Sequence, residues 1–357
     1  MRRSGLGLRT AVAALACVAT VAGCGGGSSS AGSSGSGDKT VTLVTHESFA
    51  ASKEVLADFT KQTGYKLKIL RSGDAGAAVN QAILTKGNPQ GDVFFGVDNT
   101  FLSRALDAGL FEKYQAVGIG AVPTEFKVDD RVTPVDYGDV CVNYDKKYFA
   151  TKKIAPPQTF ADLIKPEYKN LLVTENPATS SPGLAFLLGT VKTFGQDGWE
   201  GYWKKLKANG ALVVDGWEEA YNQRFSGGSQ SKGNRPLVVS YASSPPAEVV
   251  YAEKPVTEAP TAVSTGTCFR QEEFAGLLKG AKNPTGGKKL LDFMLSTRFQ
   301  NDVPLQMFVF PVSKEATLPE VFRKYAVVPA DPATLPPDEI AKERDQLIKT
   351  WTSSVLR

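Results

Sequence analysis

Histidine is almost missing from this chain: His46 is the single one in 357 residues. A HExxH zinc helix, a paired-histidine metal site and most histidine-based triads outside position 46 are thereby excluded. Also absent are a GxSxG nucleophile elbow, a Walker A loop and a complete GxGxxG loop, since Gly118-Ile119-Gly120 lacks its third glycine. The adjacent acids Glu218 and Glu219 point in different directions on a helix and read as a solvated face rather than an acid/base pair. Net charge is scarce too. The whole chain carries +4, and residues 1–23 hold three arginines and no acid, so the remainder is left with +1. Nothing in that balance calls for a nucleic-acid partner.

The N-terminus is informative. Arg2, Arg3 and Arg9 precede an apolar run from Ala11 to Val21, and the small residues Ala22 and Gly23 stand immediately before Cys24. The run, about a dozen residues, falls short of the roughly 20 that a membrane-spanning helix needs, so residues 1–23 read as a cleaved signal peptide. Val21-Ala22-Gly23-Cys24 resembles the bacterial lipobox, which implies lipidation of Cys24 and an extracytoplasmic protein anchored to the cell membrane. Residues 24–40 are nearly all Gly, Ser and Ala up to Gly37 and read as a flexible tether. Roughly 320 residues follow, enough for two lobes with sizeable cores. With Cys17 removed and Cys24 lipidated, Cys141 and Cys268 remain. In an exported protein a disulfide between them is expected, two buried thiols being the alternative.

Short β-branched or aliphatic runs recur at 41–45, 66–70, 93–97, 140–143, 171–174, 212–214 and 237–241, and each predicts a strand. Helical spacing lies between them, as in Val55, Leu56 and Phe59; Val79, Ile83 and Leu84; and Leu184, Leu187, Leu188 and Val191. Strands alternating with helices predict α/β lobes with mainly parallel sheets, because parallel neighbours need crossover connections. In such sheets ligands sit beyond the carboxyl ends of the strands. Polar clusters follow strands in several places: His46-Glu47-Ser48, Ser72-Gly73-Asp74, Asp98-Asn99 and Ser243-Ser244-Pro245, with Thr179-Ser180-Ser181 opening a helix. Each alone is an ordinary helix cap. Asp338 to Leu356 reads as an amphipathic helix that packs on the fold. Export, a lipid anchor and missing catalytic motifs favour binding over catalysis.

The segments Thr45-His46-Glu47-Ser48-Phe49-Ala50, Asp92-Val93-Phe94-Phe95-Gly96-Val97-Asp98-Asn99, Val135-Asp136-Tyr137-Gly138, Thr179-Ser180-Ser181-Pro182-Gly183-Leu184, Gly216-Trp217-Glu218-Glu219-Ala220-Tyr221, Ser240-Tyr241-Ala242-Ser243-Ser244-Pro245 and Phe310-Pro311-Val312 occur in this order. Together they resemble the thiamine-binding proteins of bacterial thiamine uptake transporters, periplasmic binding proteins with type II topology. That resemblance implies two α/β lobes, each a mainly parallel sheet flanked by helices, joined by two crossover strands. It places lobe 1 at 41–138 with 266–312, lobe 2 at 139–265, and a C-terminal helical segment at 313–357. It also places Cys141 and Cys268 on the two crossings, where a disulfide would staple the hinge.

The same resemblance implies ligand contacts at Asp74, Ala75, Ser180, Ser181, Trp217, Tyr241, Ala242, Ser243 and Ser244, with His46, Glu47, Tyr221 and Phe308 as further candidates. Thiamine joins a flat aminopyrimidine to a permanent thiazolium cation. Aromatic faces such as Trp217 and Tyr241 suit both parts, Asp74 suits the amine or the cation, and the serines suit an alcohol or phosphate. Without the resemblance Trp217 reads as a core aromatic and Tyr241 as a strand-end packing residue. Ala247 and Phe308 stand where the family can carry further aromatics, and His46 stands where it has a phenol. The implied function is capture of thiamine or a thiamine phosphate by cleft closure and delivery to an ABC permease, by a monomer needing no cofactor or metal. A binder of another small solute of the same superfamily, such as ferric iron or a cationic or phosphorylated metabolite, and an exported hydrolase acting in the cleft are the alternatives.

Overall fold

The computed structural model describes residues 39–357; the signal peptide, Cys24 and the tether up to residue 38 lie outside the described residues. Seven strands form where the apolar runs predict them: β1 (Thr40–Thr45), β2 (Lys66–Arg71), β3 (Val93–Asp98), β4 (Thr133–Asp145), β5 (Leu172–Glu175), β6 (Leu212–Val214) and β7 (Leu237–Tyr241). Two more lie outside those apolar runs: the long β8 (Thr261–Leu277), which carries Cys268 where the resemblance puts the return crossing, and the two-residue β9 (Phe310–Pro311). β8 reads TAVSTGTCFRQEEFAGL, in which Thr, Gly, Arg and Glu break any apolar run.

The strands make one mixed sheet in the order β2-β1-β3-β8-β4-β7-β5-β6, with β9 on β4. At each end three strands run parallel, β2-β1-β3 on one side and β6-β5-β7 on the other. The two long strands in the middle, β4 and β8, run antiparallel to each other and to their outer neighbours. These are the two crossover strands of a two-lobe α/β fold: β3 attaches to β8 on one side and β7 to β4 on the other. The β4–β8 ladder slips register between Pro134 and Asp136 and again between Val140 and Val142. Cys141 and Cys268 lie at the second slip and are joined as a disulfide, with Val142 N donating instead to Thr267 Oγ1 at 2.8 Å.

Helices cover the sheet. α1 (Lys53–Thr63) starts at Ser52, whose hydroxyl accepts from Val55 N, and buries Val55 and Phe59. α2 (Ala75–Leu84) packs through Ala78, Val79 and Ala82. Leu84, expected on its apolar face, is 82% exposed as the last residue of the helix. α3 (Leu102–Asp107) follows β3, and α4 (Lys146–Lys152) follows β4. α5 (Ser181–Ala208) buries Leu184, Leu187, Leu188 and Val191 and breaks at Gly195, whose φ of 71° and ψ of 174° are non-helical. The C-terminal helix Pro337–Trp351 forms as its spacing predicts and buries Ile340, Leu347 and Trp351. Trp351 meets Trp203 of α5 edge to face at 5.4 Å, so this helix joins a core shared with α3 and α5. A second core lies on the other face of the β1–β3 sheet, where Val93 and Phe95 point while Phe94 and Val97 join the first.

Candidate functional site

The carboxyl ends of β1, β2 and β7 and the turns that follow them surround a cavity of about 330 Å3. One wall begins at Asp74. As the N-cap of α2 it accepts at Oδ1 from Ala75 N (2.5 Å), while its Oδ2 accepts from Trp217 N across the cavity at 2.8 Å. Burial raises the carboxyl above its usual range, against the pull of these two N–H groups. Gly216 is what lets Asp74 come so near, since a Cβ there would meet Asp74 Oδ2 at 3.2 Å and Glu47 Oε1 at 3.1 Å.

Trp217 is fixed at both ends. Its Nε1 donates to Ser240 Oγ at 2.9 Å, which in turn lies 2.9 Å from Ser244 Oγ, and its indole stacks on Tyr221 at 5.0 Å with the rings 17° apart. Tyr221 hydroxyl donates to Glu248 Oε1 at 2.8 Å, and burial pushes the phenol well up, so it stays a neutral donor. Burial likewise raises the Tyr241 phenol, helped by nearby carboxylates. Tyr251 and Phe308 meet edge to face at 5.6 Å at another part of the lining. Phe308 holds a φ of 54°, unusual for a bulky side chain and the kind of backbone strain that collects at functional sites.

His46 is placed by Gly96. At the β3 bulge Gly96 has φ +104°, and a Cβ there would lie 2.3 Å from His46 Cδ2. His46 Nε2 stands 3.1 Å from Glu273 Oε1 on β8, near enough for an ion pair though off the line of a well-directed hydrogen bond. Burial is the largest single influence and works against the imidazolium, but the charge and contact of Glu273 together with the Asp74 and Glu47 carboxylates outweigh it, and the pKa rises above the usual 6.5. Glu273 is also paired in register with Asp136 of β4, and burial with that neighbouring carboxylate pushes Asp136 well up.

Of the residues singled out in the sequence, the cavity brings together Asp74, Ala75, Ser181, Trp217, Tyr241 and Ser244, and also His46, Glu47, Tyr221 and Phe308. Ser180, Ala242 and Ser243 do not line it. Ser180 Oγ caps α5 by accepting from Gly183 N at 3.3 Å, and Ala242 spends its N–H on Asp139 O and its carbonyl on Val327 N, so both serve the wall from behind. Ser243 is fully buried, with a hydroxyl that has no partner. The pair read as a solvated face divides: Glu219 takes Arg224 at 2.9 Å, whereas Glu218 lines the cavity.

Sequence reasoning missed Glu248, Tyr251, Met307 and Glu273. Glu273 sits in the strand whose polar sequence hid it, and Glu248 is three residues beyond the Tyr241 cluster, where helical spacing would have turned it to the same side. Counted together, the lining holds the carboxyls of Glu47, Asp74, Glu218, Glu248 and Glu273, six aromatic rings, one histidine and no Lys or Arg. Such a cavity suits a flat, positively charged ligand. Burial raises Glu47 as well as Asp74, and for Glu47 the neighbouring Asp74 and Glu218 carboxylates add to the rise.

A model of the bacterial extracellular solute-binding protein family matches residues 88–331. Among curated relatives, the thiamine-binding periplasmic protein of Escherichia coli (strain K12) is 33% identical over 325 residues, 89% of this chain and 94% of that protein. The thiamine-binding periplasmic protein of Brucella suis is 30% identical, with 89% and 92% covered. Among solved structures, a periplasmic thiamin binding protein superposes with a TM-score of 0.78 at 31% identity, covering 89% of this chain and 96% of that one.

Proposed function

We propose, because this chain belongs to the bacterial extracellular solute-binding proteins, that its cavity captures thiamine and hands it unchanged to the permease of an ABC importer. The observation that carries this reading is the pairing of a stacked Trp217–Tyr221 face with five lining carboxyls and no basic side chain save His46. The aminopyrimidine would lie against the aromatic faces, and the thiazolium would sit among the carboxyls, each cation–π contact contributing about 0.5–2 kcal/mol. Entry of the cation would draw Asp74 and Glu47 back toward ionisation, so binding releases protons. A phosphate ester would face the same carboxyls, which favours the unphosphorylated vitamin over its phosphates. The relatives named thiamine-binding support the choice of ligand.

The wider scheme belongs to the same proposal. Lobe 1 spans 41–138 with 266–312 and lobe 2 spans 139–265, with 313–357 packed on them. The lobes open and close about β4 and β8, and the hydrogen bond from Trp217 N to Asp74 Oδ2 is a bond of the closed form. Cleavage before Cys24 and its lipidation tether a monomer to the outer face of the membrane through residues 24–40. Among the described residues no helix is long and apolar enough to cross a membrane.

Calorimetry tests it. Thiamine should bind at one saturable site without turnover, more tightly than its mono- and pyrophosphate. Absence of heat with thiamine, combined with saturable ferric-iron binding or with hydrolysis of a phosphorylated compound, would overturn the proposal in favour of a different cargo or an exported hydrolase.

A further inference from the structure

A second crevice, about 270 Å3, shares no lining residue with the cavity above and lies between α2, α3, the loop before α5 and the Pro337–Trp351 helix. Its charged lining consists of Arg104, Arg344 and Lys349 against one carboxylate, Asp345. Arg344 is buried, its side chain 5% exposed, and a guanidinium does not escape burial by losing its proton. Asp345 Oδ1 accepts from its Nε at 3.1 Å and its Nη2 at 2.9 Å, and the same oxygen stands 3.5 Å from Arg104 Nη1. One oxygen thus serves two guanidinium groups.

The remaining donors are left over. Arg344 Nη1 and Arg104 Nε are buried with no hydrogen-bond partner, and so is Asn80 Oδ1. Buried guanidinium N–H groups without acceptors are costly, and the two arginines that carry them line one crevice. The Asn80 amide can turn to present its NH2. Phe101, whose ring lies 5.9 Å from the Arg344 guanidinium, holds that group in place from another side. Lys349 is exposed at the edge and adds a third positive charge.

We propose that this crevice is a binding site for a small tetrahedral oxoanion, of the phosphate or sulfate class, taken by Arg344 Nη1 and Arg104 Nε, with Asn80 and Lys349 completing the contacts. The site holds three cationic groups and one carboxylate, a net charge opposite to that of the carboxyl-lined cavity. It does not depend on thiamine being the ligand there. α2 reaches both sites, with Asp74 capping it at the cavity and Asn80 facing the crevice.

The test titrates the purified protein with sodium phosphate and sodium sulfate against sodium chloride at matched ionic strength, by calorimetry and by thermal shift. Phosphate and sulfate should bind saturably at one site that chloride does not reproduce. Arg104→Gln should weaken this binding about tenfold, the scale of one charge-assisted contact, and Asp345→Asn should tighten it several-fold by removing the competing carboxylate. Both variants should bind thiamine like the wild type. Because Arg344 is buried and Arg344→Gln is at risk of misfolding, the decision rests on the other two. Oxoanion responses equal to those of chloride, or an affinity unmoved by both Arg104→Gln and Asp345→Asn, would overturn the proposal, the latter outcome meaning an adventitious ion only.

Discussion

Asp74 Oδ2 accepts a hydrogen bond from the backbone N–H of Trp217 at 2.8 Å, linking the N-cap of α2 to a turn 143 residues later on the opposite wall of the cavity. The same carboxylate that is positioned to face a cationic ligand is therefore also what sets the indole in place. Asp74→Ala should lower thiamine affinity by more than the loss of one charge contact, about a hundredfold, since the stacking face loosens with it. Trp217→Phe, which keeps a ring but loses the donor to Ser240, should fall between wild type and Trp217→Ala. Isothermal titration of the three variants gives the order; wild-type affinity in Trp217→Ala would remove the aromatic face from the proposed site.

A second expectation concerns pH. Burial raises Asp98 from 3.8 to about 6, against hydrogen bonds from Thr100 and Gln271. A carboxyl raised on folding holds its proton in the folded state after the unfolded chain has lost it, so its contribution to stability is present below about pH 4 and disappears as pH climbs to about 6. The span amounts to roughly 3 kcal/mol. Asp98→Asn should therefore unfold at a higher temperature than wild type at pH 7 and lose that advantage near pH 4. Thermal melts across this range decide it, and an advantage independent of pH would show that titration is not its source.

His46, which lines the cavity, titrates in the same direction at higher pH. Its pKa rises on folding because Glu273, Asp74 and Glu47 together outweigh the opposing effect of burial, so these contacts stabilise the fold fully below about pH 6.5 and fade as pH rises through the raised value. His46→Gln should lose this pH-dependent part while Gly96→Ala disturbs the pair sterically. A methyl at position 96, in a left-handed backbone and 2.3 Å from His46 Cδ2, should cost about 1–3 kcal/mol of stability. Chemical denaturation of Gly96→Ala reads the cost; an unchanged midpoint would mean that the bulge relaxes.

The disulfide is tested by reduction. Cys141 and Cys268 are 127 residues apart in sequence and close a loop on β4 and β8. Releasing a loop of this length frees about 4–5 kcal/mol of unfolded-state entropy, so reduction should lower Tm by about 5–15 °C. Thermal melts with and without reductant, beside non-reducing mass spectrometry of the native protein, measure both the bond and its effect. Two alkylatable thiols in the native protein would refute the bond.

The apolar runs at positions 41–45, 93–97 and 237–241 determined strands by themselves, because a central strand is buried on both faces and its sequence shows it. The spacing in α5 and in the C-terminal helix likewise determined their buried faces. Motif order pointed to Asp74, Trp217, Tyr221 and Tyr241, and the folded chain sets all four around one cavity. Only the tertiary structure decided the rest. β8 is held by its ladder with β4 rather than by an apolar pattern, so only the resemblance, which set Cys268 on the return crossing, pointed to it, and Glu273 was not visible in the sequence. Ser180, Ala242 and Ser243 look like their lining neighbours in sequence, and it is the direction of the backbone that turns them behind the wall. The gathering of five carboxyls on one side and the pairing of Arg104 with Arg344 on another bring together segments far apart in the chain. Local sequence fixes which face of an element is apolar; which charges meet is settled only when the elements pack.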